Sequence, residues 1–152
     1  MTSSLLKTKS NRLIEIRNVP VVQAAAYATG DLIGGKQELL YAVEETDGAG
    51  VIRGARLIST GAITNQVDLI FFNADPTNTT FTENGAFALD GDDVAKVIGG
   101  VEIDTFFAFN ANGFGQSGFG ELCLPFVLAD GTSLFCAMIA RGAVTPAAVD
   151  GL

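Results

Sequence analysis

The chain has 152 residues, of which 48% are hydrophobic and only 17% charged, and its net charge is −8. It contains no His, no Trp and two Cys, so the groups that neutral-pH catalysis and metal sites most often use are missing or scarce. No apolar run reaches the ~18 residues of a membrane-spanning helix, and the start lacks the apolar stretch of a secretory signal. We therefore expect one soluble domain without cofactor, metal or enzymatic activity. So few charges on so small a body favour association with other molecules.

Charge is unevenly distributed along the chain. Residues 1–17 carry a net charge of +3, whereas residues 18–152 carry 5 basic and 16 acidic groups, a net charge of −11. This division predicts an N-terminal arm, residues 1–12, followed by a single domain, residues 13–152. An acidic domain argues against nucleic acid as a partner. The arm is either an ordinary flexible terminus or a basic contact for an acidic surface, with Leu5, Lys7, Lys9 and Arg12 as the candidate contacts.

Hydrophobic periodicity predicts strands. Residues 67–72 are apolar on both faces after one charge, which indicates a strand in the centre of a packed sheet. The other predicted strands are residues 12–19, 51–58, 101–109, 121–128 and 132–140. Gly, Asn and Asp turns separate them, and no βαβ rhythm is present. The pattern predicts an all-β protein, an antiparallel β-sandwich or jelly roll.

Asp130-Gly131 predicts a hairpin between the last two strands. In that register Cys123 faces Met138 and Cys136 faces Pro125, which leaves the two sulfurs too far apart for an easy disulfide. We expect two buried thiols, although a two-residue slip would bring them opposite one another. Because Pro125 cannot donate a ladder hydrogen bond, its strand lies at an edge or carries a bulge.

One short helix is predicted near residues 91–98. Asp90 can cap it, Asp92 and Asp93 lie in its first turn, where the helix dipole favours anions, and Gly99 ends it. Val94, Val97 and Ile98 form its apolar stripe. The same acidic residues lack the closing Glu of a calcium-binding loop, so capping explains them better.

Two turn-rich segments, residues 73–84 and 110–120, are predicted to be loops. Each holds Phe residues within polar sequence, which makes them candidate contact surfaces. The candidate contact residues in these loops are Phe81, Phe114 and Phe119.

Several segments resemble a family of small head proteins of tailed bacteriophages. The likeness covers roughly residues 13–145 and is carried by residues 26–35 (AYATGDLIGG), residues 67–81 with the helix that follows at 90–99, and the pairs of segments at 124–126 (LPF) and 132–135 (TSLF). It rests on turn-and-strand patterns, with no catalytic signature. Members of that family are thought to be capsid decoration or cement proteins.

The resemblance implies a structural virion protein that binds the outer surface of a phage capsid and stabilises it. Its partners would be further copies of itself and the major capsid protein, with no nucleic acid and no membrane. A homotrimer is favoured because capsid subunits meet at threefold positions. The alternative is a glycan- or host-binding module of a head or tail fibre, although eleven Phe with two Tyr suit packing better than sugar binding.

Overall fold

The computed structural model describes residues 14–60, 65–109, 112–117 and 122–145. The described part is all-β, and one short 3-10 helix (Gly91–Lys96) lies between the fourth and fifth strands. The strands are β1 (Leu32–Leu39), β2 (Ala49–Ile52), β3 (Arg56–Ser59), β4 (Val67–Phe72), β5 (Val97–Ile103), β6 (Thr105–Phe109), β7 (Asn112–Gln116), β8 (Leu124–Val127) and β9 (Leu134–Ala140). The predicted arm, residues 1–12, lies outside the described residues.

The main sheet has four antiparallel strands in the order β1-β9-β4-β5. β4 pairs with β9 on one side and β5 on the other, which confirms the predicted central strand. Alternate residues of β4 enter different clusters: Val67 and Phe71 face one side of the sheet, and Phe72 faces the other. Because both faces are covered, β4 and β9 are apolar along most of their length.

Two smaller antiparallel sheets form the second layer of the sandwich. The three-stranded sheet β3-β7-β6 packs Leu57 and Phe106 onto the cluster around Val67 and Met138. The two-stranded sheet β2-β8 supplies Ile52 and neighbouring apolar side chains beside Phe71 and Cys136 of the same main-sheet face. The opposite main-sheet face is covered by the segment after β4, through Phe81, Phe87 and Leu89. The predicted antiparallel sandwich is therefore confirmed.

The predicted hairpin across Asp130-Gly131 is wrong. β8 pairs only with β2, whereas β9 pairs with β1 and β4, so the chain crosses from one layer of the sandwich to the other at this turn. A strand has two hydrogen-bonding edges, and both edges of β9 are already used. Gly131 does provide a turn, with φ of +66°. Pro125 lies in a two-stranded sheet, where every strand is an edge, as its missing N–H predicts.

Four other predicted elements differ from the structure. Residues 14–19, the described part of the predicted first strand, form no strand. The predicted strand at 51–58 is divided into β2 and β3, and the run at 101–109 is divided at Asp104 between β5 and β6. Each division lets the chain pass from one sheet to another, which hydrophobic periodicity alone does not reveal. Residues 112–116, predicted to lie in a loop, form β7.

The two thiols are free, as predicted, but only one is buried. Cys136 lies on β9 beneath the second layer, and Cys123 is exposed. Burial raises the pKa of the Cys136 thiol to about 12, so it stays protonated and unreactive at neutral pH. The expectation that Cys123 is buried is wrong: Cys123 lies just before β8, and β8 pairs with β2 instead of β9.

Candidate interaction surfaces

The outer face of the three-stranded sheet carries a cluster of four apolar side chains. Successive side chains of a strand point to opposite faces, and Phe114 pairs with Ile58 on one side and with Phe107 on the other. The rings of Phe107 and Phe114 are stacked with centroids 4.9 Å apart, and Phe109 stacks on Phe114 at 6.0 Å. We call this surface, formed by Ile58, Phe107, Phe109 and Phe114, the Phe face.

The Phe face is open to solvent in the described part of the chain. Phe109 is 63% exposed, Ile58 49% and Phe107 43%. Two exposed Phe rings stacked on a third, partly buried one are unusual on a small domain, because exposed apolar patches on monomers are usually small or functional. The Phe face is therefore a candidate contact surface.

Glycines at the inward positions of β7 let the three-stranded sheet pack closely on the core while Phe114 points outward. In β7 the inward positions are Gly113 and Gly115, both buried, and the outward position between them is Phe114. A Cβ on Gly115 would lie 2.5 Å from the Phe106 ring and 2.7 Å from Ile103. The absence of a side chain on the inner face lets Phe106 enter the core.

A second exposed apolar surface lies on the outer face of the two-stranded sheet. Ala49 pairs with Val127, and Val51 with Pro125, and all four side chains are exposed. Val127 is 62% exposed. We call this surface the Val face. It contains no polar side chain, whereas an exposed strand face is normally polar.

The predicted contact residues do not lie together on one surface. Phe114 lies in the Phe face. Phe81 is half-buried and packs against Phe72 and Phe87, with centroids 6.4 and 5.7 Å away, beneath the ammonium of Lys36. The remaining candidates, Leu5, Lys7, Lys9, Arg12 and Phe119, lie outside the described residues. Phe107 and Phe109 were not singled out from the sequence, although the alternation of Gly and Phe after them was a visible signal.

A buried carboxylate fixes the loop at residues 73–84. The Asp93 side chain has no exposed surface, and its Oδ2 accepts the backbone N–H groups of Asn78 (2.9 Å) and Thr79 (2.6 Å) and the Thr79 hydroxyl (2.8 Å). Its Oδ1 accepts the Lys96 ammonium at 2.7 Å. Lys96 also donates to the carbonyl of Asp75 at 2.7 Å.

In this cluster the Asp93 carboxylate carries a permanent negative charge. Burial alone raises the pKa of Asp93, but the hydrogen bonds from Lys96 and Thr79 outweigh it and lower the pKa from 3.8 to about 2. A carboxylate so fully engaged is a poor proton acceptor, so the cluster is structural. The sequence placed Asp93 in the first helical turn without predicting its burial. The Asp90 cap is confirmed, since its side chain accepts the Asp92 N–H at 2.9 Å, but the helix ends at Lys96, before Gly99.

A second polar contact ties the segment before β1 to the loop after β4. Tyr27 is buried, and its hydroxyl donates to the Glu83 carboxylate while accepting the Gln23 N–H at 2.8 Å. Burial, and then the hydrogen bond to Glu83, raise the pKa of Tyr27 to about 12. Tyr27 therefore stays protonated and acts as a fixed donor.

One cleft, with a volume of about 330 Å³, lies between the first described residues and the end of β1. Its lining includes Asn18, Glu38 and Tyr41, together with Ile14 and Leu40. Tyr41 is 74% exposed and has φ of +58°, an uncommon conformation for a residue with a side chain. The cleft thus combines an exposed aromatic ring with carboxylate and amide groups.

Comparison with models of known protein families, with curated proteins and with solved structures gave no match in any of the three. Among residues 14–60, 65–109, 112–117 and 122–145, no group of three or more His, Cys, Asp or Glu side chains is placed to hold a metal ion. Within the same ranges, no helix is long and apolar enough to cross a membrane.

Proposed function

We propose that this chain is a structural virion protein that binds the outer surface of a phage capsid as a homo-oligomer, with a trimer as the expected form, and stabilises the capsid. The observation that carries the proposal is the pair of apolar surfaces, the Phe face and the Val face, on two different sheets. Exposed apolar patches of this kind on a small domain usually mark contact sites. The resemblance of its sequence to phage head decoration proteins supports the same function.

The driving force would be burial of these surfaces. Each ~1,000 Å² of apolar area removed from water contributes about 25 kcal/mol, from which the costs of association and ordering are subtracted. Even a fraction of that area is enough for stable binding when several copies are linked, because each additional contact becomes intramolecular. A bound oligomer that bridges capsid subunits would resist the outward pressure of packaged DNA.

The number of surfaces supports assembly with closed symmetry. An interface between two different patches of neighbouring copies is heterologous, and it closes into a ring when the rotation permits. A copy with two apolar surfaces can contact a neighbour and the capsid at once. The acidic domain argues against nucleic acid as the partner, because phosphate binding needs clustered basic groups.

Co-sedimentation with empty heads of the phage that encodes the chain tests this function. We expect the wild-type protein to saturate at a fixed number of copies per head and to raise the temperature at which the heads dissociate. Heads from an unrelated phage are the control. Absence of saturable binding to its own heads would contradict the proposed function.

The second candidate function is glycan binding, and the cleft beside Tyr41 favours it. Exposed aromatic rings next to carboxylate and amide groups are typical of sugar sites, since the ring packs on the apolar face of a sugar. A glycan array would show reproducible binding that is lost in Tyr41→Ala and kept in Val127→Ser, a matched change on the Val face. Binding to no glycan, or equal binding by both variants, would exclude this function for the cleft.

A further inference from the structure

The outer edge of β8 is protected against pairing with a further strand. Pro125 has no N–H to offer at this edge, and the carbonyl of Val127 accepts the side-chain amide of Asn73 at 3.1 Å. The backbone carbonyl of Asn73 accepts the Ala129 N–H at 3.0 Å. Proline and a covering loop are usual means of preventing an edge strand from pairing with another chain.

The outer edge of β2 lacks this protection. Leu128 donates to the carbonyl of Gly48 at 2.9 Å, and hydrogen-bonded and non-bonded pairs alternate along an antiparallel ladder. The backbone groups of Ala49 and Val51 therefore point away from β8. In the part of the chain that the structure describes, these N–H and C=O groups have no partner. Because β2 contains neither Pro nor a charged side chain, its edge is suited to pairing with another strand.

Opposite charges lie at the two ends of this edge. Asp47 precedes β2 and Arg53 follows it, and both residues are exposed. Neither side chain forms an ion pair with another described residue. Exposure alternates from residue 47 to residue 53, so the two charged residues share the exposed side of the strand with Ala49 and Val51. The segment is thus acidic at its start, apolar in its middle and basic at its end.

We propose that β2 pairs with β2 of a second copy, antiparallel and with Gly50 opposite Gly50. This register places Ala49 opposite Val51 of the second copy, so that their free backbone groups bond to each other. It also places Asp47 opposite Arg53 on both sides of the twofold axis. Because the edge is complementary to itself, the partner that fits it is another copy of this chain.

The pairing leaves both apolar surfaces uncovered. Residues that lie opposite one another in a sheet point to the same face, so the two Val faces would join into one surface across four strands, β8-β2-β2-β8. The Phe face lies on a different sheet and takes no part. The inference rests on the homo-oligomer of the proposed function and deepens it, because it names a contact between copies.

A twofold contact of this kind is compatible with the expected trimer. Each β2 strand has four residues, so the area buried by edge pairing is far below the ~800 Å² per partner of a standard interface. We therefore expect the contact to be weak between free molecules. It would form where copies are held close together, as between neighbouring trimers on a capsid, because the effective concentration is high there.

Disulfide trapping tests the proposal, because oxidation retains a weak contact each time it forms. All proteins carry Cys123→Ser, which removes the exposed native thiol and leaves the buried thiol of Cys136. Ala49→Cys in one protein and Val51→Cys in another place two thiols opposite one another, with Cα atoms about 5.5 Å apart, within the range of a disulfide. Circular dichroism establishes that each variant is folded. Intact mass spectrometry distinguishes the mixed dimer from the dimers of either variant alone.

We expect the mixture to give severalfold more disulfide-linked dimer than either variant alone, since identical positions are not opposite one another in this register. Ala95→Cys mixed with Val51→Cys is the control and should give only background. Arg53→Glu in both proteins of the mixture should reduce the yield severalfold, because the introduced charge faces Asp47. Arg17→Glu changes the net charge equally at another exposed position and should leave the yield unchanged.

A mixture that yields no more dimer than the separate variants would overturn the proposal. A higher yield from Val51→Cys alone would also overturn it, because a different register would then join the copies. Equal yields with Arg53→Glu and Arg17→Glu would do the same, because the register depends on the charge pairs. The measurement uses free protein, so failure to bind empty heads would contradict the proposed function and leave the β2 contact standing.

Discussion

The Asp93 carboxylate and the Lys96 ammonium form an ion pair of 2.7 Å in which the aspartate side chain is wholly buried and the lysine side chain is 26% exposed. The pair joins the 3-10 helix to the loop after β4, because Asp93 also binds two backbone N–H groups of that loop. This loop covers one face of the main sheet. The ion pair therefore connects the conformation of this loop to the packing of the core beneath it.

Replacement of Asp93 should destabilise the protein strongly. Asp93→Ala removes the acceptor of the buried Thr79 N–H and the counter-ion of the half-buried Lys96 ammonium, and uncompensated buried polar groups are costly. Asp92→Ala, a neighbouring exposed carboxylate, is the control. Urea unfolding should show a clearly lower midpoint for Asp93→Ala than for Asp92→Ala. Equal midpoints would show that the ion pair does not hold the loop.

Stability should fall in acid through the same group. The pKa of Asp93 is about 2 in the folded protein against an ordinary value of 3.8, so the unfolded chain binds a proton more readily. The contribution of Asp93 is complete above about pH 4 and is lost as pH falls towards 2. Thermal melts of wild type and Asp93→Asn between pH 5 and 2 should converge at the acidic end. Parallel curves would contradict the assigned pKa.

The backbone of β7 should reject a side chain on its inner face. The Cβ of Gly115→Ala would lie 2.5 Å from the Phe106 ring, so the core must move, at a cost of about 1–3 kcal/mol. Gly91→Ala is the matched control, because nothing lies within 4 Å of its added Cβ. Chemical denaturation of both variants measures the difference. A neutral Gly115→Ala would mean that Phe106 does not pack where the structure places it.

The Val face should be needed for assembly. Val127→Lys places a charge in the Val face. It should reduce the oligomer mass and the number of copies per head, with little effect on the melting temperature because the position is exposed. Ala95→Lys adds the same charge at an exposed position of the 3-10 helix. It should change neither the oligomer mass, nor the number of copies per head, nor the melting temperature. Analytical ultracentrifugation compares the two variants. Unaltered assembly of Val127→Lys would remove the Val face from the interface.

The sequence predicts local features of this fold better than its long-range pairing. The central position of β4 and the Asp90 cap depend on nearby residues and on apolar runs, and both are confirmed. The hairpin at Asp130-Gly131 failed because the turn signal does not say which strands already occupy the edges of β9. The burial of Asp93 depends on Thr79, 14 residues away. Such a contact is set by packing, which periodicity does not contain.

The candidate surfaces show the same contrast between local features, which the sequence predicts, and long-range pairing, which it does not. The sequence identifies Phe114 as a candidate because its segment is rich in Gly and Phe, but the same pattern predicts a loop in place of β7. Its stacking on Phe107 requires the β6–β7 pairing and the inward glycines. The Val face was not predicted at all, since Val51 and Val127 are 76 positions apart in the sequence and meet only through the pairing of β2 with β8.

Light scattering coupled to size-exclusion chromatography measures most directly whether this domain is made to assemble. Purified wild-type protein should elute as one species with three times the 15.8 kDa mass of a single chain, and Val127→Lys should shift it towards smaller mass. A wild-type protein that remains at 15.8 kDa over a wide range of concentrations would contradict assembly through its apolar surfaces.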